Sequence, residues 1–336
     1  MPPKNFLMNL DMLRLVFGRM KNWTPSLATA FLAFTILLSV FLVLSVQALD
    51  QSDIQSQSIL SALNYLAGNY NASMGLIHES PDSANLSNTY WLYSDNFLAN
   101  LAFQRTGASN ASLASLAENV TRSAARYFQG QPNPVNQYQV FTNTSRFPFN
   151  ASKDFIFRTY GVAVVKSTVN NQSGMLDPKK YADIAFLEAI WYHNVRQDPY
   201  ALSVFHDGFA LWNGTGFKDD AFTSTFATYK IALYLYAAKL LGQAPDSSIV
   251  DGLLALQLHR GVDSGGFVTE YSGRFGPVGG SNTETTSLAI LALSQQGFIP
   301  SNIVSLAFQL IIIGVLVAFA ALIAATVVRR SVKQDV

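Results

Sequence analysis

The stretch that decides the fold reads Leu254-Ala-Leu-Gln257-Leu-His-Arg-Gly-Val-Asp-Ser-Gly-Gly266-Phe267, followed by Asn282-Thr-Glu-Thr-Thr-Ser-Leu-Ala-Ile-Leu-Ala-Leu293. It closes one helical pattern, turns through polar residues and two glycines to an aromatic residue, and opens a second helix rich in Ala and Leu. This order of helix, Gly-containing turn and helix predicts a helical hairpin.

The same order recurs along the chain with different letters. A turn containing Gly75, Gly174, Gly216 or Gly266 comes before an apolar helical stretch, at residues 90–99, 181–190, 228–237 and 283–292. Three of the four turns also follow a helical stretch, at residues 57–67, 200–212 and 247–258. The last three copies are spaced at a period typical of helical repeats. The first interval is about twice as long, which predicts a degenerate copy that contains the helical stretch 113–128.

Hairpins repeated at this period cannot bury their apolar faces alone and must stack on their neighbours. The second helix of each copy is the more apolar, which predicts an inner layer of second helices and an outer layer of first helices. Residues 137–142 and 155–169 are rich in Val, Phe, Tyr and Thr with partial alternation. This pattern predicts strands in a β-rich insertion at about residues 131–172.

The repeat resembles the α/α toroid shared by terpenoid cyclases, protein prenyltransferase subunits and, more loosely, six-hairpin glycosidases. The resemblance is carried by the stretch from Leu254 to Leu293, which is similar to the Gln-to-Gly-aromatic repeat of those families. It implies a mostly helical toroid of hairpins with a small β insertion. Four recognisable copies and one degenerate copy fall short of six hairpins, so an open or incomplete ring stands as an alternative to a closed one.

Two apolar segments flank this domain of residues 50–300. Residues 26–49 and 301–328 contain no Asp, Glu, Lys, Arg or His, and each exceeds the ~20 residues that a membrane-spanning helix needs. Basic residues in the flanking segments 1–25 and 329–336 predict that both termini are cytoplasmic and the domain extracytoplasmic, at a cell membrane. A cleaved signal peptide is the competing interpretation of the first segment, because Val46-Gln-Ala48 has the small residues that a peptidase prefers.

The domain carries eight Asn-x-Ser/Thr acceptor sequences, which suggest glycosylation of an exposed surface. A composition rich in Asn and Ser is the alternative explanation. With no cysteine in the chain, the sequence resembles an archaeal cell-envelope glycoprotein. The eight sites are Asn71, Asn85, Asn110, Asn119, Asn143, Asn150, Asn171 and Asn213.

Several kinds of function are excluded by composition. The net charge is only +1 and no phosphate-binding loop is present, so neither a nucleic-acid nor a nucleotide partner is expected. The four histidines lack metal-ligand spacing, and no metal or cofactor is predicted. The resemblance adds two exclusions: Asp219-Asp220 lacks the first member of the acid motif of squalene-type cyclases, and prenyltransferases bind zinc through a cysteine that is missing here.

Acid–base chemistry on a glycan is the remaining candidate. It needs two carboxylates, and flat aromatic rings stack well on sugars. Asp95 lies between aromatic residues rather than at a helix cap, and Glu188 lies within an apolar helical run; both are predicted to be catalytic. Glu188 has a second interpretation, burial beside a partner such as Lys230. The predicted ligand-binding residues are Tyr90, Trp91, Tyr93, Asn96, Glu270 and Glu284.

The acids that recur just before the second helices are Glu79, Asp177 and Asp219, and they are interpreted as helix caps. The expected function is therefore to bind or process a glycan at the cell envelope, as a glycoside hydrolase or polysaccharide lyase if the protein is an enzyme. The alternative is a non-catalytic envelope subunit for structure or adhesion that binds another protein. Converging carboxylates at an open mouth favour the first function, and a centre filled by side chains favours the second.

Overall fold

The structure is a computed structural model that describes residues 53–81, 90–106, 110–128, 137–142, 153–161, 163–170 and 176–294. All of them belong to one of the two units into which the chain divides, Asp53–Phe298. The predicted spans 26–49 and 301–328, and the flanking segments 1–25 and 329–336, lie outside the described residues. Among the residues that are described, no helix has both the length and the apolarity to cross a membrane.

The described unit is mostly helical and contains a few small sheets. The helices are residues 53–68 (α1), Tyr93–Thr106 (α2), Ala111–Phe128 (α3), Ala182–Asn194 (α4), Asp198–Phe209 (α5), Thr228–Leu240 (α6), Ser247–Ala255 (α7) and Thr283–Ser294 (α8), with a 3-10 helix at Gln137–Thr142. The strands are Tyr70–Asn71 (β1), Leu76–Ile77 (β2), Tyr90–Leu92 (β3), Lys153–Tyr160 (β4), Ala163–Asn170 (β5), Phe226–Ala227 (β6), Val268–Ser272 (β7) and Gly276–Ser281 (β8).

Helices α4, α6 and α8 form an inner layer. Their residues 184–190, 230–238 and 285–293 are buried without interruption, as expected for helices that are covered on every side. Helices α3, α5 and α7 bury only part of their surface and pack on α2, α4 and α6. The more apolar second helices are therefore the more completely buried ones.

The inner helices form a closed cycle of contacts. Helix α2 packs on α8, α8 on α6 and α6 on α4, while the 3-10 helix contacts both α4 and α2. Its side chains Tyr138, Val140 and Phe141 are almost completely buried. The predicted degenerate copy thus consists of α3 followed by a 3-10 helix in the position of an inner helix.

Helix α1 is tied to the last hairpin of the chain. The side-chain amide of Gln257 donates to the carbonyl oxygens of Ser58, at 2.8 Å, and of Gly265, at 2.9 Å. The amide of Gln55 donates to the carbonyl oxygen of Leu293 at 2.6 Å. These buried or half-buried bonds hold the first and last repeats together, because leaving such groups unpaired is costly.

Three small sheets accompany the helices. Strands β1 and β2 form an antiparallel pair, β5 lies between a parallel β3 and an antiparallel β4, and β6, β7 and β8 are antiparallel neighbours. The strand structure predicted for residues 155–169 is confirmed, and it consists of β4 and β5, which pair with each other. The sheet of β6, β7 and β8 was not predicted, since the glycines and proline of β8 read as a turn.

Two secondary-structure predictions were wrong. Residues 90–92 form strand β3, so the helix begins at Tyr93 rather than at Tyr90. Residues 137–142 form a 3-10 helix instead of a strand. There, Asn194 and Arg105 donate side-chain hydrogen bonds to the carbonyl oxygens of Val140 and Phe141. These tertiary hydrogen bonds satisfy backbone groups that would otherwise pair with a neighbouring strand. They therefore outweigh the local β-propensity.

Gly265 allows α1 to approach the last turn closely. Its φ is +91°, and a Cβ at this position would lie 2.3 Å from the carbonyl oxygen of Ser61. Gly214 has the same φ but nothing within 4 Å of an added Cβ.

Replacing each of these two glycines by alanine separates the cost of the left-handed backbone from the cost of the close contact with α1. We expect Gly214→Ala to lower the free energy of unfolding by about 1–2 kcal/mol, the cost of a left-handed conformation. Gly265→Ala should cost about 1–3 kcal/mol more, because the methyl group overpacks the contact with α1. Denaturant unfolding of both variants measures the difference, and equal losses would show that the approach of α1 does not limit stability.

Lys239 lies half-buried near the end of α6 and donates to the carbonyl oxygen of Ala292 at 3.2 Å. Burial lowers the pKa of Lys239 from 10.5 to about 7. The unfolded chain therefore keeps this proton at pH values where the folded protein releases it. This side chain makes the free energy of unfolding rise as the pH increases from about 7 towards 10.5.

Lys239→Met should remove this dependence on pH. We expect the variant to gain stability relative to the unmodified protein at about pH 6, where the buried charge is fully present, and to lose that gain by about pH 10. Thermal unfolding across this range measures it. A gain that is the same at both ends of the range would contradict the assigned cause.

Candidate functional site

Polar side chains from the starts of the inner helices lie close to one another. The second residues of α4, α6 and α8 are Asp183, Tyr229 and Glu284, and Asp95 is the third residue of α2. The Tyr229 hydroxyl donates to Asp183 Oδ2 at 3.1 Å. Burial, then Asp183, then Glu284 raise the pKa of Tyr229 well above its ordinary value. The four helices thus bring acids and a tyrosine to one end of the inner layer.

Asp95 is the most perturbed acid of this group. Its side chain is only 1% exposed. Burial raises the pKa of Asp95 well above 3.8, the charges of Glu284 and Glu79 raise it further, and Ser94 and Lys166 oppose the shift. Oδ1 accepts a hydrogen bond from the Ser94 hydroxyl at 3.1 Å, whereas the buried Oδ2 has no partner among the described residues. This environment favours the neutral acid.

Glu284 is the partner whose charge acts most strongly on Asp95. Its Oε1 accepts a hydrogen bond from the hydroxyl of Tyr138 in the 3-10 helix. Burial and the charge of Glu284 raise the pKa of Tyr138 well above its ordinary value, so this hydroxyl keeps its proton and donates it. Such a bond stabilises the carboxylate form of the group that accepts it.

Backbone contacts fix this pair in place. The backbone N–H of Thr283 donates to the carbonyl oxygen of Glu79 at 2.7 Å, and its hydroxyl donates to that of His78 at 2.5 Å. The side chain of Asn96 accepts from the N–H of Ile77 and donates to its carbonyl oxygen. Asn96, a predicted ligand-binding residue, therefore uses its amide to hold the first turn against α2.

The predicted aromatic platform is largely closed off. The Trp91 side chain is 2% exposed and its ring lies 4.2 Å from that of His78, between centroids. Tyr93 is half-buried, with its ring 5.0 Å from that of Phe128. Tyr90 contributes its backbone to β3, and its side chain lies outside the described part of the chain. In this structure Trp91 offers no free face for a sugar ring.

Glu188 and Glu270 have local partners. Glu188 is 7% exposed, and burial raises its pKa against the opposing effect of a hydrogen bond with Tyr192. The interpretation that pairs Glu188 with Lys230 is wrong, because Lys230 Nζ lies 2.6 Å from Asp219 Oδ2. Glu270 is exposed on β7 and accepts from the Thr225 hydroxyl at 2.7 Å.

Asp219 caps a helix, although this helix is α4 and not α6, the one that it was predicted to cap. Its Oδ2 accepts from the N–H of Ala182, the first residue of α4, at 3.0 Å, and Oδ1 accepts from the N–H of Ala221. Asp177 is exposed, and its Oδ1 accepts from the N–H of Lys179 in a turn. These two carboxylates therefore stabilise the chain before α4.

Four predicted glycosylation sites fall in the described residues. Asn110 and Asn213 are exposed, and each uses Oδ1 to accept backbone N–H bonds in a local turn. Asn71 and Asn119 are half-buried. The remaining four sites lie outside the described residues, namely Asn85, Asn143, Asn150 and Asn171.

No metal site is evident in the described part of the chain, where no cluster of three or more His, Asp or Glu side chains is arranged to hold an ion. Sequence reasoning missed three neighbours of the acid pair: Tyr138, Tyr229 and Lys166. Aligning the starts of the inner helices could have revealed Tyr229, which shares its helix position with Asp183 and Glu284. Tyr138 was missed because residues 137–142 were predicted to form a strand, and no sequence pattern singled out Lys166.

No protein-family model matches this chain, and neither a curated protein nor a solved structure is detectably similar to it. The resemblance of the Leu254–Leu293 stretch to α/α toroids stays a prediction. Function therefore has to be argued from the side chains around Asp95 and Glu284.

Replacing Asp95 by asparagine should stabilise the protein. Because the folded state favours neutral Asp95, the unfolded state ionises first, and this residue lowers the free energy of unfolding as the pH rises above about 4. Asp95→Asn keeps the shape of the side chain and removes the free-energy cost of keeping this carboxyl group protonated in the folded state. We expect the melting temperature to rise at pH 7, by about 2–4 °C for each kcal/mol relieved, with little change near pH 3.

The surface variant Asp220→Asn serves as the control, since Asp220 forms only an exposed ion pair with Lys180. The melting curves of both variants between these pH values test the assignment. A loss of stability in Asp95→Asn at pH 7 would show that the carboxylate form is the one favoured by the fold.

Proposed function

We propose that residues 53–294 form a closed α/α toroid in which the 3-10 helix takes the place of one inner helix. The closed cycle of contacts among the inner helices supports this proposal. The apolar segments 26–49 and 301–328 and the glycosylation sequences support a membrane-anchored protein with residues 50–300 outside the cell.

We infer that the protein processes a glycan at the cell envelope by acid–base chemistry. The observation that carries this inference is the buried Asp95, whose pKa is raised by burial and by Glu284, which itself accepts a hydrogen bond from the Tyr138 hydroxyl. Two carboxyl groups with opposite protonation states are the minimum that glycoside hydrolysis requires. Keeping an acid in such a costly environment is typical of functional sites.

In the proposed reaction Asp95 gives its proton to the glycosidic oxygen. The bond between the sugar carbon and this oxygen breaks, and its electron pair leaves with the oxygen. Glu284, held by the Tyr138 hydroxyl, acts on that carbon as the nucleophile or through a water molecule. Asp95 is closed to solvent in this structure, so a substrate must displace local packing to reach it.

Neutral variants of the two acids test this proposal. Asp95→Asn and Glu284→Gln should each reduce turnover of a susceptible envelope polysaccharide about 100- to 10,000-fold, because each removes a group that transfers a proton or acts as a base. Asp220→Asn and the exposed Glu118→Gln are the matched controls and should keep full turnover. Reducing-end release and absorbance of unsaturated products distinguish hydrolysis from elimination.

Glu188→Gln tests the other predicted catalytic residue in the same assay. The interactions of Glu188 involve Tyr192, whereas Asp95 responds to Glu284 and Glu79. We therefore expect this variant to retain turnover. If Asp95→Asn and Glu284→Gln also retained full turnover and binding across the panel, the glycan function would be abandoned.

One observation favours the second candidate, a non-catalytic envelope subunit. The 3-10 helix fills the space between α2 and α4 with the buried side chains of Tyr138, Val140 and Phe141. A ring whose gap is closed by buried side chains suits a rigid platform for another protein. This candidate predicts that crosslinking in native membranes recovers one consistent protein partner, and recovery of the monomer alone would count against it.

A further inference from the structure

The chain enters and leaves residues 53–294 at the same place. Gln55, in the first turn of α1, donates to the carbonyl oxygen of Leu293, the residue before the last of α8, at 2.6 Å. Lys239, the residue before the last of α6, donates to the carbonyl oxygen of Ala292 at 3.2 Å. The start of α1 therefore lies beside the ends of α6 and α8.

The other two inner helices end on the same side. Asn194, the last residue of α4, donates to the carbonyl oxygen of Val140 at 2.5 Å. Arg105, near the end of α2, donates to the carbonyl oxygen of Phe141 and to the hydroxyl of Tyr236 in α6, both at 2.6 Å. We call the surface formed by the start of α1 and the ends of α2, α4, α6 and α8 the exit end. The acid pair lies at the opposite ends of these inner helices.

The exit end is close in sequence to the predicted membrane spans. Only residues 50–52 separate the span 26–49 from α1, and only residues 295–300 separate α8 from the span 301–328. An extended residue covers at most about 3.6 Å, so these linkers reach no farther than about 14 Å and 25 Å. The first linker is shorter than α4, which is about 20 Å long. It therefore cannot extend past the unit to the end that holds the acid pair.

An exposed aromatic pair lies at the exit end. Tyr192 near the end of α4 and Tyr200 near the start of α5 are stacked, with ring centroids 5.7 Å apart and an angle of 28° between the planes. The Tyr200 side chain is 63% exposed. Tyrosine combines an apolar ring with a polar hydroxyl, and it is enriched where a protein meets the interface between membrane and water.

The turn between α4 and α5 adds an exposed cation, Arg196. Its φ is +64°, in the left-handed region that favours glycine. An arginine at such a position points to a use for its side chain, and a guanidinium pairs well with phosphate. The acid of this turn, Asp198, is bonded to His193 Nδ1 at 2.8 Å. The aromatic pair and the cation suit a layer of phosphate-bearing headgroups.

We propose that the exit end faces the membrane, with Tyr192, Arg196 and Tyr200 in contact with phosphate-bearing lipid headgroups. This inference rests on the proposed membrane anchoring and adds an orientation to it. The acid pair then faces away from the membrane. Its substrate is accordingly an envelope polymer outside the lipid layer rather than a sugar carried on a lipid.

Single cysteines can report this orientation, because the chain has no cysteine of its own. Gln197→Cys and Lys179→Cys place a fluorophore at exposed positions just after the end and just before the start of α4. The full chain is reconstituted in vesicles of phosphatidylcholine and phosphatidylglycerol that carry a spin label on the headgroup. We expect quenching at position 197 to be at least about threefold stronger than at position 179, since α4 separates the two by about 20 Å.

The possible failures are distinguishable. Equal quenching at the two positions, or stronger quenching at position 179, would overturn the orientation while the chain stays anchored. Release of the chain from the vesicles by alkaline carbonate would overturn the orientation and the anchoring together. A response at position 197 to envelope polysaccharide, but not to lipid, would assign the tyrosine pair to a sugar instead. Turnover is not measured, so the glycan chemistry stands or fails separately.

Substitutions at the contact residues test their roles. Tyr200→Ser and Arg196→Gln should each lower quenching at position 197 about twofold, because each removes an attraction to the headgroup layer. The matched control is Arg122→Gln, at an exposed arginine of α3, which should leave quenching unchanged. Unchanged quenching in Tyr200→Ser and Arg196→Gln alike would overturn the contact of these side chains with lipid.

Discussion

The site depends on the hydrogen bonds that Thr283 makes with the backbone of His78 and Glu79. The bond to His78 joins residues 205 positions apart in the chain, and both bonds hold the start of α8 against the first turn. Glu284, the next residue, is thereby brought close enough to Asp95 to act on its pKa. The bond from Gln257 to Ser58 in α1 and the bond from Gln55 in α1 to Leu293 in α8 strengthen the same closure. The same contacts therefore hold α8 in place and bring Glu284 near Asp95.

Opposing electrostatic effects set the protonation states at this closure. The starts of the inner helices carry partial positive charge, which favours carboxylates nearby. Burial disfavours a second charge, and it raises the pKa of Asp95 because this side chain is almost fully buried. Glu284 keeps the support of the Tyr138 hydroxyl. Since Tyr138 also packs in the core with Phe141, the residue that completes the inner layer also supports the carboxylate of the site.

Sequence reasoning reached part of this arrangement. Asp95 was identified because it lies between aromatic residues rather than at a cap, and Glu284 because it opens an apolar helix. Trp91 and Asn96 were predicted to bind a ligand, but their contacts lie within the protein. The Trp91 ring packs against His78, and the Asn96 side chain forms hydrogen bonds with Ile77. Tyr138 was missed because its neighbours Val140 and Phe141 mimic a strand. Local patterns identify an acid of interest, but they do not name the groups that face it.

By itself the sequence determined that the unit is mostly helical, that the second helices of the copies are the more apolar, and that residues 155–169 form strands. These features follow from periodicity and from contacts within a few turns of the chain. Only the tertiary structure decided that the cycle closes, that a 3-10 helix stands in for an inner helix, and which charged groups lie around Asp95. Burial and the neighbours of a charge come from residues that are far apart in sequence, so a local pattern cannot encode them.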